Sequence, residues 1–222
     1  MRVRQQIYTV EEMKQLFTLA EEYGTLDYRA FLTLAVYSGF RSGELMGLEW
    51  KDIDWDNNVI SVRRTANYTA TDGTYTDTPK TKKSVRSLKL PDVVFDRLRE
   101  LRTQQLENKE IFGTKLVDSD RIFVNKLGKP LYIGEPYKWQ KKLTEEHGMK
   151  FCDIHSLRHQ YVKYTTKKFS DFFEKIAEFL FPIHKIIFFR FRDGWEAFSK
   201  RKVRTSRTFS LNVVIATKIF SV

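Results

Sequence analysis

The apolar residues of this chain recur at helical spacing up to Trp50, alternate like strands between Trp50 and Pro91, and return to helical spacing as far as about Gln160, beyond which Ile183 to Arg192 has neither period cleanly. That double change of period limits the folds open to it more than any other feature. In the first stretch, Thr9-Val-Glu-Glu12 has the form of a capping box, whose hydroxyl and carboxylate satisfy the first unpaired N–H groups of a helix. Val10, Met13, Leu16, Phe17 and Ala20 follow on one face up to Gly24. A second helix reads from about Asp27 to Ser38 with Phe31, Leu34 and Ala35 together, Gly39 stops it, and a short helix carrying Glu44, Leu45 and Leu48 comes next. In the middle stretch Asp56-Asn57-Asn58 is a turn signal and Val59-Ile-Ser-Val-Arg-Arg64 is rich in β-branched residues. Ser84 to Leu90 sets Val85, Ser87 and Lys89 against Arg86, Leu88 and Leu90. The polar run from Thr69 to Asp77 reads as a long hairpin loop. Pro91 then opens a helix at its first-turn position, running to about Asn108 with Val94, Leu98 and Leu101 inward. Arg121-Ile-Phe-Val124 reads as a short strand or extended segment, and helices are expected from about Glu135 to His147 and from Ser156 onward. The pattern predicts an α+β domain, mainly helical, with one small antiparallel sheet between about Asp52 and Leu90.

The single cysteine, Cys152, rules out an intrachain disulfide and reads as an inert buried thiol in a reducing, cytoplasmic setting. No apolar run is long enough for a membrane span or a signal peptide, and the densest, from Phe179 to Phe191, is interrupted by Pro182, His184, Lys185 and Arg190. Net charge is +11, which favours a polyanionic partner. Its distribution weakens that inference: residues 1–159 carry 26 Lys and Arg against 23 Asp and Glu, while residues 160–222 carry 13 against 5. Any case for nucleic acid in the patterned body must therefore rest on where individual cations fall.

Several of those cations stand in a telling order. Arg41 lies in Ser38-Gly39-Phe40-Arg41-Ser42-Gly43-Glu44, Lys80 in Thr78-Pro79-Lys80-Thr81-Lys82-Lys83, and His155 and Arg158 in His155-Ser156-Leu157-Arg158-His159. Taken singly each has an ordinary explanation: Arg41 and Glu44 as a solvated (i, i+3) pair, the lysines as a solvated turn, His155 and Arg158 as helix-end residues. Together they suit one chemistry. When a side-chain oxygen attacks a phosphodiester, charge builds on the non-bridging oxygens and on the leaving 5′ oxygen, so a metal-free site needs fixed cations and a proton donor. Arginine suits the clamp because its planar fork donates two parallel hydrogen bonds and stays charged. Neither a metal nor a cofactor is expected.

This order, with Leu34-Ala-Val-Tyr-Ser-Gly39 before Arg41, Leu45-Met-Gly-Leu-Glu-Trp-Lys-Asp-Ile-Asp54 after it, and Pro79-Lys-Thr-Lys-Lys-Ser-Val-Arg-Ser-Leu around Lys80, resembles the catalytic domain of the tyrosine recombinase (phage integrase) family. Members of that family cut and rejoin DNA through a phosphotyrosyl intermediate. The resemblance runs from about Gln6 to His159 and implies roles: Arg41 and Arg158 as phosphate clamps, Glu44 as the supporting carboxylate, Lys80 as donor to the leaving oxygen, and His155 as general acid or base. Lys82 and Lys83 stand as competitors for the lysine's role, and His159 is a companion with none assigned. Double-stranded DNA is the implied partner, with no membrane, and an intact recombinase protomer is a second candidate partner.

Two parts of the family pattern are not found. The chain starts at the catalytic domain's first helix, so the N-terminal DNA-clamping domain is expected to be absent. No tyrosine occurs after Tyr164, where the family places its nucleophile, and no Leu-Gly-His-like element precedes the end. Tyr161 and Tyr164 follow Arg158 too closely on one helix for in-line attack, and neither His184 nor Trp195 has the flank expected of the missing second histidine. Composition also shifts, with eleven of the 18 phenylalanines in residues 169–222. The expected organisation is a catalytic-domain-like part, 1–164, and an atypical tail, 165–222, such as an out-of-frame segment would give. The expected function is that of a recombinase catalytic-domain fragment for DNA integration and recombination, incomplete for want of a nucleophile. The alternative is a non-catalytic DNA-binding module or a modulator of an intact recombinase.

Overall fold

In the computed structural model the described residues are 7–77, 86–115 and 117–158. Among the described residues three α-helices precede five strands, and further helices follow, in the order that the period change requires. Helix α1 (Val10–Tyr23) begins on the expected capping box: the Glu12 N–H donates to Thr9 Oγ1 at 3.1 Å and the Thr9 N–H to Glu12 Oε2 at 2.7 Å. Its Met13, Leu16, Phe17 and Ala20 face inward.

Helix α2 (Leu26–Ser38) departs from the one-faced expectation. Every residue from Ala30 to Ser38 is buried, because α2 is packed by α1, α3, α4 and α5. A helix apolar nearly all round belongs in the middle of a core. It ends where Gly39 turns into the left-handed region at φ 59°, a conformation that leaves the next residues free to start α3 (Ser42–Met46) at once.

Strand β1 (Ile53–Asp54) pairs antiparallel with β2 (Val59–Val62), and β2 pairs with β5 (Arg86–Lys89) in the register Val62 to Arg86. The run read as a long loop is instead a second, separate hairpin of β3 (Thr65–Thr69) and β4 (Gly73–Asp77). Its Thr and Tyr residues are polar but suit strands, and Asp72-Gly73 closes it, with Gly73 at φ 68°. This hairpin packs on α3, where a Cβ at Gly43 would lie 2.8 Å from the Ala66 carbonyl oxygen and one at Gly47 3.0 Å from the Ala66 nitrogen.

Helix α4 (Asp92–Phe112) ends four residues later than expected, and Pro91 caps it from an extended conformation rather than occupying its first turn. Arg121 and Val124 make isolated bridges to Glu49 and Pro130, so the short strand read at 121–124 is an extended link. Helix α5 (Glu135–Glu146) agrees with the sequence. The last described residues, 154–158, are helical from two positions before Ser156, because Asp153 Oδ1 accepts the Ser156 N–H at 2.7 Å and caps the turn. Phe31 and Phe123, 5.5 Å apart edge to face, lie in the shared core of these elements.

Candidate active site

The Gly39 turn puts Arg41 at the N-cap of α3, and Glu44 at its third position reaches back: the Arg41 N–H donates to Glu44 Oε2 at 2.6 Å and Arg41 Nη1 to Oε1 at 3.0 Å. The first of these is half of a capping box, so the site's local shape is written in the helix start. Arg41 keeps 63% of its side chain exposed while Glu44 keeps 7%. A carboxylate that buried needs charge-assisted partners.

Its strongest partner comes from β5. Arg86 Nη1 and Nη2 fork onto Glu44 Oε1 and Oε2 at 3.0 and 2.6 Å, and the guanidinium lies 5.1 Å from the centre of the Phe40 ring. Arg158 arrives from the far end of the described chain. Its Nη1 donates to the Gly39 carbonyl at 2.7 Å, across 119 residues, and stands 3.9 Å from Glu44 Oε2. The 154–158 turn that carries Arg158 has Ile154 and Leu157 buried in the core.

The electrostatics follow from this grouping. Burial pushes the Glu44 carboxyl up, but the hydrogen bonds and charges of Arg86 and Arg41 outweigh it and hold the group below the usual carboxylate range. Burial, with the nearby Arg41 and Arg86 charges, lowers the Arg158 guanidinium, and Glu44 offsets part of that. Three guanidiniums against one carboxylate leave the cluster positive, which is what an anion such as a phosphodiester requires.

Of the residues singled out in the sequence, Arg41, Glu44 and Arg158 therefore meet. His155 is exposed, three residues before Arg158 on the same helical turn. Lys80, Lys82, Lys83, His159, Tyr161, Tyr164, His184, Trp195 and the 165–222 segment lie outside the described residues. Arg86 has no motif to mark it, and its one signal in the sequence is a cation in the inward register of Leu88 and Leu90. Cys152 is buried, and burial pushes its thiol up to about 12, which suits an inert packing role. Among the described residues, no group of three His, Cys, Asp or Glu is placed to hold a metal ion, and no helix is long and apolar enough to cross a membrane.

A second ionic cluster buttresses the first. Asp52, with its side chain fully buried, takes Arg64 Nη1 at 2.5 Å and accepts the Glu49 N–H at 2.9 Å. Arg121 Nη1 donates to the Met46 carbonyl at 3.0 Å and so closes the C-terminal end of α3.

Residues 6–165 match the phage integrase family, and the chain belongs to it. A tyrosine recombinase XerC-like protein of Caldanaerobacter subterraneus is 31% identical over 144 residues, which are 60% of this chain and 37% of that protein. The integrase of Staphylococcus phage L54a is 26% identical over 170 residues, 70% of this chain and 47% of its own. This chain thus matches less than half the length of either relative. In fold, it resembles the Tn1549 transposon integrase solved in complex with a circular intermediate DNA, with a TM-score of 0.64 at 16% identity over 81% of this chain and 61% of that one. The XerA recombinase gives a TM-score of 0.55 at 19% identity, over 79% and 55%.

Proposed function

We propose that this chain is a segment of a site-specific DNA recombinase catalytic domain, and that its Arg41–Glu44–Arg158 cluster holds a backbone phosphate of duplex DNA. The observation that carries this is the meeting of Arg41 and Arg158, from opposite ends of the domain, around one buried carboxylate. Two guanidiniums oriented by a common support are the arrangement that grips non-bridging phosphate oxygens and later the charge that develops on them. In this proposal Lys80 protonates the leaving 5′ oxygen and His155 serves as general acid or base. The attacking tyrosine is not among residues 165–222 of this sequence, which contain none. Residues 1–164 form the catalytic part and 165–222 an atypical tail, so the chain alone binds DNA without cutting it. A recombinase protomer bearing a tyrosine is the partner that would complete the reaction.

Binding of the purified 222-residue chain to a mixed-sequence duplex, followed by fluorescence anisotropy across a salt series, tests this directly. A few phosphate contacts predict a log–log salt slope of roughly −2 to −4. Arg158→Ala should weaken binding by about tenfold, the value of a lost charge-assisted pair. A slope near zero overturns the phosphate role. A covalent adduct on a nicked suicide duplex, with this chain as the sole protein, overturns the claim that it lacks a nucleophile.

A further inference from the structure

We propose that Arg86 is a positioning residue of this cluster: by holding both oxygens of Glu44 it fixes the carboxylate and leaves Arg41 and Arg158 turned toward an incoming phosphodiester. The DNA-binding part of this inference rests on the proposal above. Glu44 has two oxygens and receives three side-chain cations, so the way they share it sets where each cation points. The Arg86 guanidinium takes both oxygens in a fork, whereas Arg41 meets Oε2 through its backbone N–H and Oε1 through a single side-chain nitrogen, and Arg158 stands 3.9 Å away. Among the side chains, the only two-bonded grip on the carboxylate thus belongs to a residue on the sheet, not to either of the two arginines read as clamps.

Arg86 is well placed to be the fixed member. Its backbone is paired in the sheet opposite Val62, and the next pair is tied by Ser61 Oγ and Ser87 Oγ at 2.7 Å. Its guanidinium lies over Phe40, a ring that is 2% exposed. Arg41, by contrast, stands on a five-residue helix with most of its side chain in solvent. Without Arg86, the carboxylate would retain only Arg41 and Arg158 as neighbouring cations and would draw both inward, away from an external anion. A lysine could not replace it, since one ammonium cannot match two oxygens in a plane.

The test uses the full chain, carbon-13 labelled, with the Glu44 carboxyl followed by NMR as pH is lowered. The groups facing it are Arg41 from its own helix start, Arg86 from β5 and Arg158 from the 154–158 turn. In Arg86→Met, burial should dominate and the Glu44 midpoint should rise by about one pH unit or more, a tenfold loss in acidity. In Arg86→Lys it should rise by less, and this variant decides the matter if Arg86→Met does not fold. In duplex binding, Arg86→Met should weaken affinity by about tenfold, and Arg86→Met combined with Glu44→Gln should lose little beyond Glu44→Gln alone. An unmoved Glu44 midpoint overturns the inference, as does the same loss of affinity on the Glu44→Gln background, which would mean that Arg86 meets DNA itself. If the unsubstituted chain fails to bind duplex, the phosphate proposal falls, and the Glu44 titration still decides the place of Arg86.

Discussion

Gly43→Ala probes how strictly the fold positions the cluster. Gly43 is the second residue of α3, and an added Cβ would lie 2.8 Å from the Ala66 carbonyl oxygen and 2.9 Å from Thr65 Cγ2. The first obstacle is backbone and the second a stiff β-branched methyl, so neither gives way easily. Restoring an ordinary contact of 3.4 Å requires about 0.6 Å of movement between α3 and β3. Because α3 is five residues long and carries Glu44, with Arg41 as its cap, the movement carries both past Arg86 and Arg158. Overpacking of this kind costs about 1–3 kcal/mol. The helix preference of alanine returns at most about 1 kcal/mol, and less in a first turn. A net loss of about 1–2 kcal/mol lowers Tm by roughly 2–8 °C in a domain of this size. Circular-dichroism melts measure that loss, and duplex binding measures the displacement of the arginines. Leu19→Ala on α1, an element with no part in the cluster, is the control. Gly43→Ala should weaken DNA binding several-fold more than the control does. A melt within about 1 °C of the unsubstituted protein, with unchanged binding, would show that the α3–β3 contact has slack and would refute the argument.

Other substitutions test the charges one at a time. Glu44 has its carboxyl held low in the fold, so its contribution is present above its ordinary value of 4.5 and is lost as pH falls through the folded value. Glu44→Gln should therefore reduce stability at neutral pH by about 1–3 kcal/mol in denaturant melts and flatten the acid limb. Asp27 is the opposite case: burial pushes it up to about 6 from 3.8, so its penalty appears as pH rises through 6. Asp27→Asn should raise the denaturant midpoint at about pH 7.5 and leave it nearly unchanged near pH 4, at the carboxyl's unfolded value. Asp52→Ala takes from Arg64, whose side chain is 13% exposed, one of its two carboxylate partners and removes the cap on the Glu49 N–H. Glu49 retains Arg64 at 3.0 Å, so the loss should sit near the low end for a broken buried pair, about 3 kcal/mol, read as a Tm drop of roughly 6–12 °C.

The parts of the fold that are local were legible in the residues. The Thr9–Glu12 box, the Gly39 stop and the inward face of α1 follow from spacing and cap chemistry, and each is present. Features set by what lies across the molecule were not. A single face was read on α2 because three apolar positions suffice for one, whereas the surrounding helices bury its other sides as well. The β3–β4 hairpin reads as a loop in the sequence because its threonines and tyrosines are polar, and polarity alone does not separate an exposed strand from a turn. At the site, the Arg41–Glu44 pair is written in the helix start, but nothing in the spacing of Arg158 says that it will meet the Gly39 carbonyl. Arg86 was visible only as a cation at an inward strand position, which says that it needs a partner and not which one.

The presence of Glu44 in the cluster proposed to hold an anion has its own physical logic. Two unit charges about 5 Å apart repel by about 3 kcal/mol at an effective dielectric of 20, so three guanidiniums brought together without a counter-charge would push one another into solvent. One carboxylate lowers that repulsion and orients the forks, and it leaves two positive charges uncompensated. A phosphodiester held as proposed would bring a single negative charge, and the cluster would stay net positive. In a completed recombinase that remaining charge would meet the further negative charge developing on the phosphoryl oxygens, which is the condition for stabilising a transition state more than a ground state. Replacing Glu44 with a neutral residue should therefore weaken the gathering of the arginines even though it makes the site more positive. Duplex affinity should fall in Glu44→Gln, where a cluster acting by net charge alone would bind more tightly.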